Sequence, residues 1–104
     1  MTLIFVSGDT APDITTTITH ETTGLPVDLT DASVMFQMRR PDDRRFTVNS
    51  AATLTDAANG LVGYSWGAND LSVPGDYYIQ WEVTYPGGRI QTTAATETIT
   101  IRRQ

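Results

Sequence analysis

Few side chains in this 104-residue chain could do chemistry. His20 is the only histidine and sits among threonines. A catalytic histidine needs a nucleophile and an orienting carboxylate beside it. No nucleophile-elbow or phosphate-loop pattern accompanies it here. Asp9, Asp13 and the pair Asp42-Asp43 are the carboxylates a calcium ion would use. Such a site takes about six to eight oxygens from one defined loop, and that spacing is absent. There is no cysteine, so neither a thiolate site nor a disulfide can form. The sequence therefore predicts no catalytic residue, no metal ligand and no cofactor-binding residue, and it does not read as an enzyme.

The stretch "PGDYYIQWEVTYPGG", Pro74 to Gly88, is the other candidate. It gathers Tyr77, Tyr78, Trp81 and Tyr85, which could grip a sugar, a base or a peptide. Alternation argues otherwise. Tyr77, Ile79, Trp81, Val83 and Tyr85 share one face of an extended strand, and Tyr78, Gln80, Glu82 and Thr84 share the other. Most of the aromatic surface is thereby directed inward with Ile79 and Val83, leaving Tyr78 outside.

The elements that position these residues follow from composition. Threonine is the commonest residue, and β-branched and aromatic residues recur in short runs punctuated by Gly, Pro and Asn/Asp. The best helical stretch, "TLTDAANGLV", is cut by Asn59-Gly60, a turn signal. Seven strands are predicted: Leu3–Val6, Ile14–Glu21, Ser33–Arg40, Arg45–Val48 with an extension toward Leu54, Gly60–Trp66, Asp76–Tyr85 and Arg89–Ile101. The last is expected to break near Ala94-Ala95. Val34, Phe36 and Met38 face inward by period two, as do Phe46 and Val48, then Val62, Tyr64 and Trp66, and finally Ile99 and Ile101. "RRPDDRR" reads as a charge-balanced hairpin tip with cross-strand pairs. About seven short strands in this length indicate an all-β, antiparallel, immunoglobulin-like β-sandwich without a disulfide. Residues 1–104 read as a single domain.

In such sandwiches a tyrosine near the start of the sixth strand bonds back to the backbone. Tyr77 is in that place, with Ile79 where a core cysteine often stands. The aspartate usual four residues before the tyrosine is replaced by Val73, and Asp70 is the nearest acid. Phe36, Trp66, Tyr77 and Trp81 are thus predicted as core or corner residues.

Charge narrows the partners. The net charge is -5, and all seven basic residues are arginine. An acidic chain is poorly suited to nucleic acid. The apolar run Leu3–Val6 is too short for a signal peptide or a membrane span. The sequence accordingly predicts no nucleic-acid or membrane partner and a chain that is cytoplasmic when made.

The order "FVSGDTAPDITTTI", "GLPVDLTDASVMFQMR", "DAANGLVGYSW", "VPGDYYIQWEVTYPGGR", "TETITI" resembles the immunoglobulin-like module of the phage baseplate upper protein family and of related small phage structural proteins. The shared features are the Gly-x-Pro-Val-Asp-Leu-Thr run at Gly24–Thr30, the alternating Val34-x-Phe36-x-Met38-Arg39 strand and Gly60 before a hydrophobic strand. Pro74-Gly75-x-Tyr77 and the closing Ile99-x-Ile101 also fit. The resemblance implies a non-catalytic virion module that binds other phage structural proteins. In baseplate members this module attaches a longer protein to the tail. A stand-alone domain of this kind could also decorate a capsid or serve a head–tail junction. A carbohydrate- or receptor-binding sandwich is the further alternative, and it would need several outward aromatics grouped together.

If the strands follow immunoglobulin order, the third, sixth and seventh share a sheet. Their outward residues form one face: Met35, Gln37 and Arg39, then Tyr78, Gln80 and Glu82, with Thr98 and Thr100. Met35 and Tyr78 are its expected exposed apolar members. Tyr, Met and Arg are enriched at interfaces, so this face is expected to dock a partner or a copy of the chain itself. A free sheet edge could also accept a neighbour's strand, and the sequence does not select among the edges.

Overall fold

Alternation of apolar and polar residues over short runs produces nine strands among the described residues. The computed structural model describes residues 2–11, 13–20, 23–92 and 97–103. The strands are β1 (Thr2–Val6), β2 (Ile14–Thr17), β3 (Ser33–Arg39), β4 (Phe46–Ala51), β5 (Thr53–Asp56), β6 (Leu61–Tyr64), β7 (Gly75–Thr84), β8 (Ile90–Thr92) and β9 (Glu97–Arg102). One 3-10 turn, Ala57–Asn59, precedes β6. The larger sheet runs β1-β9-β7-β3-β4, with β8 also paired to β7, and the smaller runs β2-β6-β5. The two pack as an immunoglobulin-like sandwich.

Three details refine the expected strands. The fourth run divides at Ala52, whose amide bonds to the Val34 carbonyl at 2.8 Å. The chain there leaves β4 in the larger sheet and enters β5 in the smaller one. The seventh run is present as β8 and β9, which both pair with β7 on the side away from β3. The break expected at Ala94-Ala95 falls outside the described residues. All pairings are antiparallel except one: β1 runs parallel to β9, with Phe5 beside Ile101.

Inward side chains of both sheets meet around Phe36. Its ring stacks on Tyr64 at 4.6 Å and meets Trp66 and Trp81 edge-on at 5.4 and 4.9 Å. Phe5 meets Trp66 edge-on at 5.1 Å. Edge-to-face contacts between such rings add about 0.5–1.5 kcal/mol beyond area burial. Tyr77, Ile79, Trp81 and Val83 are all buried along β7, while Tyr85 at its end is half-buried.

The turn motifs have clear physical work. In the run Gly24–Thr30, Val27 and Leu29 are buried. Between them, Asp28 accepts bonds from the Thr30 amide at 2.9 Å and its hydroxyl at 2.6 Å. These two bonds hold the Asp28 carboxyl below its usual range. Gly60 has φ 73° and lies where a Cβ would come within 2.7 Å of the Ile18 carbonyl and 2.8 Å of the Val27 carbonyl. Only glycine fits that approach without displacing backbone.

The Tyr77 corner uses the backbone of Val73 rather than an acid. The Tyr77 hydroxyl donates to the Val73 carbonyl at 2.8 Å. Asp70 serves Tyr64 instead, accepting its hydroxyl at 2.5 Å and the Gly67 amide at 2.7 Å. Burial, followed by the bond to Asp70, raises the Tyr64 phenol above its ordinary value of 10.0.

Candidate functional site

The outward face of the larger sheet is assembled by register. Across it, Ala51, Met35, Glu82 and Thr92 form one row, and Asn49, Gln37 and Gln80 the next. Phe46, Arg39, Tyr78 and Thr98 form a third. Beyond these, Asp76 pairs with Thr100, and Thr100 with Ile4. The six residues expected at a docking face, Met35, Gln37, Arg39, Tyr78, Gln80 and Glu82, are therefore neighbours on adjacent strands.

Their exposure differs from the sequence expectation. Met35 and Tyr78 are half-buried rather than exposed, and Gln37 is only 5% exposed. The reason is the central place of β3, flanked on both sides by β4 and β7. Long side chains on such a strand have neighbours to either side and lie against them. Gln37 satisfies its amide there: it accepts from Gln80 Nε2 at 2.7 Å and donates to Asn49 Oδ1 at 3.3 Å. A buried amide with both ends engaged avoids the desolvation cost of an unpaired polar group.

Phe46 reverses its expected direction. Met38 pairs with Val48, but Arg39 pairs with Phe46, so Thr47 is an extra residue in β4. Its hydroxyl donates to the Met38 carbonyl at 3.2 Å. A bulge inverts the alternation for everything beyond it. Val48 faces the core, whereas Phe46 stands 38% exposed beside Arg39. Parity alone placed both inward, and only the pairing with β3 shows the extra residue.

The row Phe46–Arg39–Tyr78 thus sets an aromatic residue on the strand to either side of Arg39. Arg39 Cζ lies 5.3 Å from the Tyr78 ring centroid. Its Nη1 donates to the carbonyls of Arg40 and Asp43, both at 3.3 Å. The tip is organised by such bonds to backbone, including Arg45 N–H to Asp43 Oδ1 at 2.9 Å. Arg40 covers the Tyr77 ring at 5.5 Å. A guanidinium held by ring and carbonyls loses little freedom when it meets a partner.

Of the other residues weighed for chemistry, Asp43 bonds to Arg39 through its carbonyl, while His20 and Asp13 make their contacts elsewhere. His20 is exposed, and its backbone closes a turn with Leu25 and Gly24. Asp13 accepts the Ser65 hydroxyl at 3.0 Å. Among the described residues no group of three or more His, Cys, Asp or Glu could hold a metal ion.

The model of the BppU (baseplate upper protein) N-terminal domain matches residues 5–101. The chain belongs to that family. A similar solved structure is the N-terminal domain of phage TP901-1 ORF48, with a TM-score of 0.67 and 18% identity. The alignment covers 98% of this chain and 83% of that one, and at this identity it speaks to the fold. No curated protein sequence matches. Membership of the BppU N-terminal domain family carries a virion structural role and association with other phage structural proteins. Within this BppU N-terminal domain, the Gly24–Thr30 turn, Gly60 and the Tyr77 corner build the sandwich.

Proposed function

We propose that this domain docks another virion protein through the outer face of its larger sheet, and that it works by binding rather than catalysis. The observation that carries the reading is the row Phe46–Arg39–Tyr78. Aromatic residues and arginine dominate the energetic centres of interfaces; here they are adjacent in register, and Arg39 is held over Tyr78 by two backbone carbonyls. Met35, Gln80 and Glu82 extend the face, and the Gln80–Gln37–Asn49 hydrogen bonds tie its strands together.

The test is particle assembly with a Phe46→Ala, Tyr78→Ala double variant, and with Met35→Ala, Tyr78→Ala beside it. Melting should change little, and incorporation into particles should fall sharply. Incorporation at the wild-type level would overturn the proposal. Particles that assemble normally but fail to adsorb to cells would point to a receptor-binding module instead.

A further inference from the structure

We propose that the protein docking on the outer face is acidic there, and that the Nε–Nη2 edge of Arg39 takes one of its carboxylates; this rests on the docking reading above. Arg39 is anchored through one end of its guanidinium. Nη1 donates to the carbonyls of Arg40 and Asp43, both at 3.3 Å, and Cζ lies 5.3 Å from the Tyr78 ring centroid. Among the described residues Nε and Nη2 have no hydrogen-bond partner. Their N–H groups run parallel, at a spacing that matches the two oxygens of a carboxylate. The edge left free is therefore one that can bind an acid with two bonds at once.

The tip beside this edge lacks the pairing that its sequence suggests. Charge balance predicted ion pairs across "RRPDDRR", yet none of Arg39, Arg40, Arg44 and Arg45 is ion-paired to Asp42 or Asp43. Asp43 turns its carboxylate to the Arg45 amide at 2.9 Å instead. Arg40 lies over the Tyr77 ring at 5.5 Å. Arg44 and Arg45 are exposed and directly precede Phe46. Asp76, two places before Tyr78 on the same strand, accepts the Thr100 hydroxyl at 2.8 Å.

Charge complementarity identifies the occupant. Residues 39–45 hold four arginines and two aspartates, a net +2, whereas the other three arginines and ten acids give the rest of the chain -7. Such a molecule attracts an acidic surface at the tip and repels it elsewhere, which orients the encounter. A nucleic acid would meet the same repulsion without the two-oxygen fork of a carboxylate. A second copy of this chain fits less well. Its Asp13, Asp28, Asp56, Asp70 and Asp76 are each engaged by donors of their own domain. Phe46 and Tyr78, on the strands to either side of Arg39, supply apolar contact around the acid.

The test titrates the whole chain with end-blocked hexaglutamate, hexalysine and a short oligothymidylate, read by nuclear magnetic resonance. Hexaglutamate should shift the Arg39 Nε–H and Tyr78 amide signals, more weakly as salt is raised, and hexalysine should shift neither. Arg39→Lys keeps the charge but loses the fork, and should bind hexaglutamate about tenfold more weakly. Arg44→Gln, Arg45→Gln removes side chains with no partner in the domain, so it should melt as the wild type and flatten the salt dependence. Arg39→Lys should also lower incorporation into particles. Absence of the hexaglutamate shift at Arg39, equal binding by Arg39→Lys, or tighter binding of oligothymidylate each overturns the proposal. So does a dimer that forms through Arg39 without peptide. If Phe46→Ala, Tyr78→Ala loses incorporation while Arg39→Lys keeps it, the docking face stands and its acidic occupant falls. If the aromatic double variant incorporates normally, both fall.

Discussion

Trp81 and Tyr78 stand three positions apart in one strand and have opposite fates. Trp81 is buried against Phe36, whereas Tyr78 lies on the outer face under Arg39. Truncating a buried Trp costs about 3–5 kcal/mol, against a total domain stability of roughly 5–15 kcal/mol. Trp81→Ala should therefore be unfolded or nearly so by circular dichroism at room temperature. Tyr78→Ala should melt close to the wild type. Tyr64 carries a pH signature. Its folded pKa is raised, so on alkalinisation the unfolded chain loses this proton first. The contribution is intact below about pH 10 and fades as pH climbs through the folded value. Because other tyrosines titrate nearby, the measure is a difference. Denaturant midpoints of wild type and Tyr64→Phe should converge above pH 10, and a constant gap would contradict the assignment.

The turns and the bulge are features of elements rather than of single residues. At Gly60, an alanine in the left-handed region costs about 1–2 kcal/mol by itself. Its Cβ would also press on the Ile18 and Val27 carbonyls, and the Ile18 carbonyl accepts the Val27 amide that ties the β2 extension to the following loop. Gly60→Ala should lower the denaturant midpoint by more than the backbone cost alone. Gly24→Ala, where nothing among the described residues lies within 4 Å of a Cβ, should show only that cost. Tyr77→Phe should cost about 1 kcal/mol, the net worth of one hydrogen bond, because the corner bond goes to the Val73 carbonyl. The bulge in β4 is the element that sequence alternation could not reveal. Thr47 is an ordinary strand residue, and only pairing with β3 shows that it is surplus.

At the scale of the molecule, the ring cluster around Phe36 joins the two sheets. Trp66 follows β6 of the smaller sheet and Trp81 belongs to β7 of the larger, yet both contact the same Phe36 ring. Urea unfolding should therefore give coincident fluorescence and far-ultraviolet dichroism transitions. A fluorescence change preceding loss of the sheets would show that they separate independently. The sequence by itself determined the all-β class, the inward direction of Val34, Phe36, Met38, Tyr77, Ile79 and Trp81, and the resemblance to the baseplate family. Each rests on local alternation or on short motifs, and strand period is a property of neighbours along the chain. Tertiary structure alone decided the parallel placement of β1 and the passage of the chain between sheets at Ala52. It also decided the outward turn of Phe46 and the burial of Gln37. These depend on which strand lies alongside, and a strand's lateral partners are distant in sequence. The row Phe46–Arg39–Tyr78 exists only once that pairing is made.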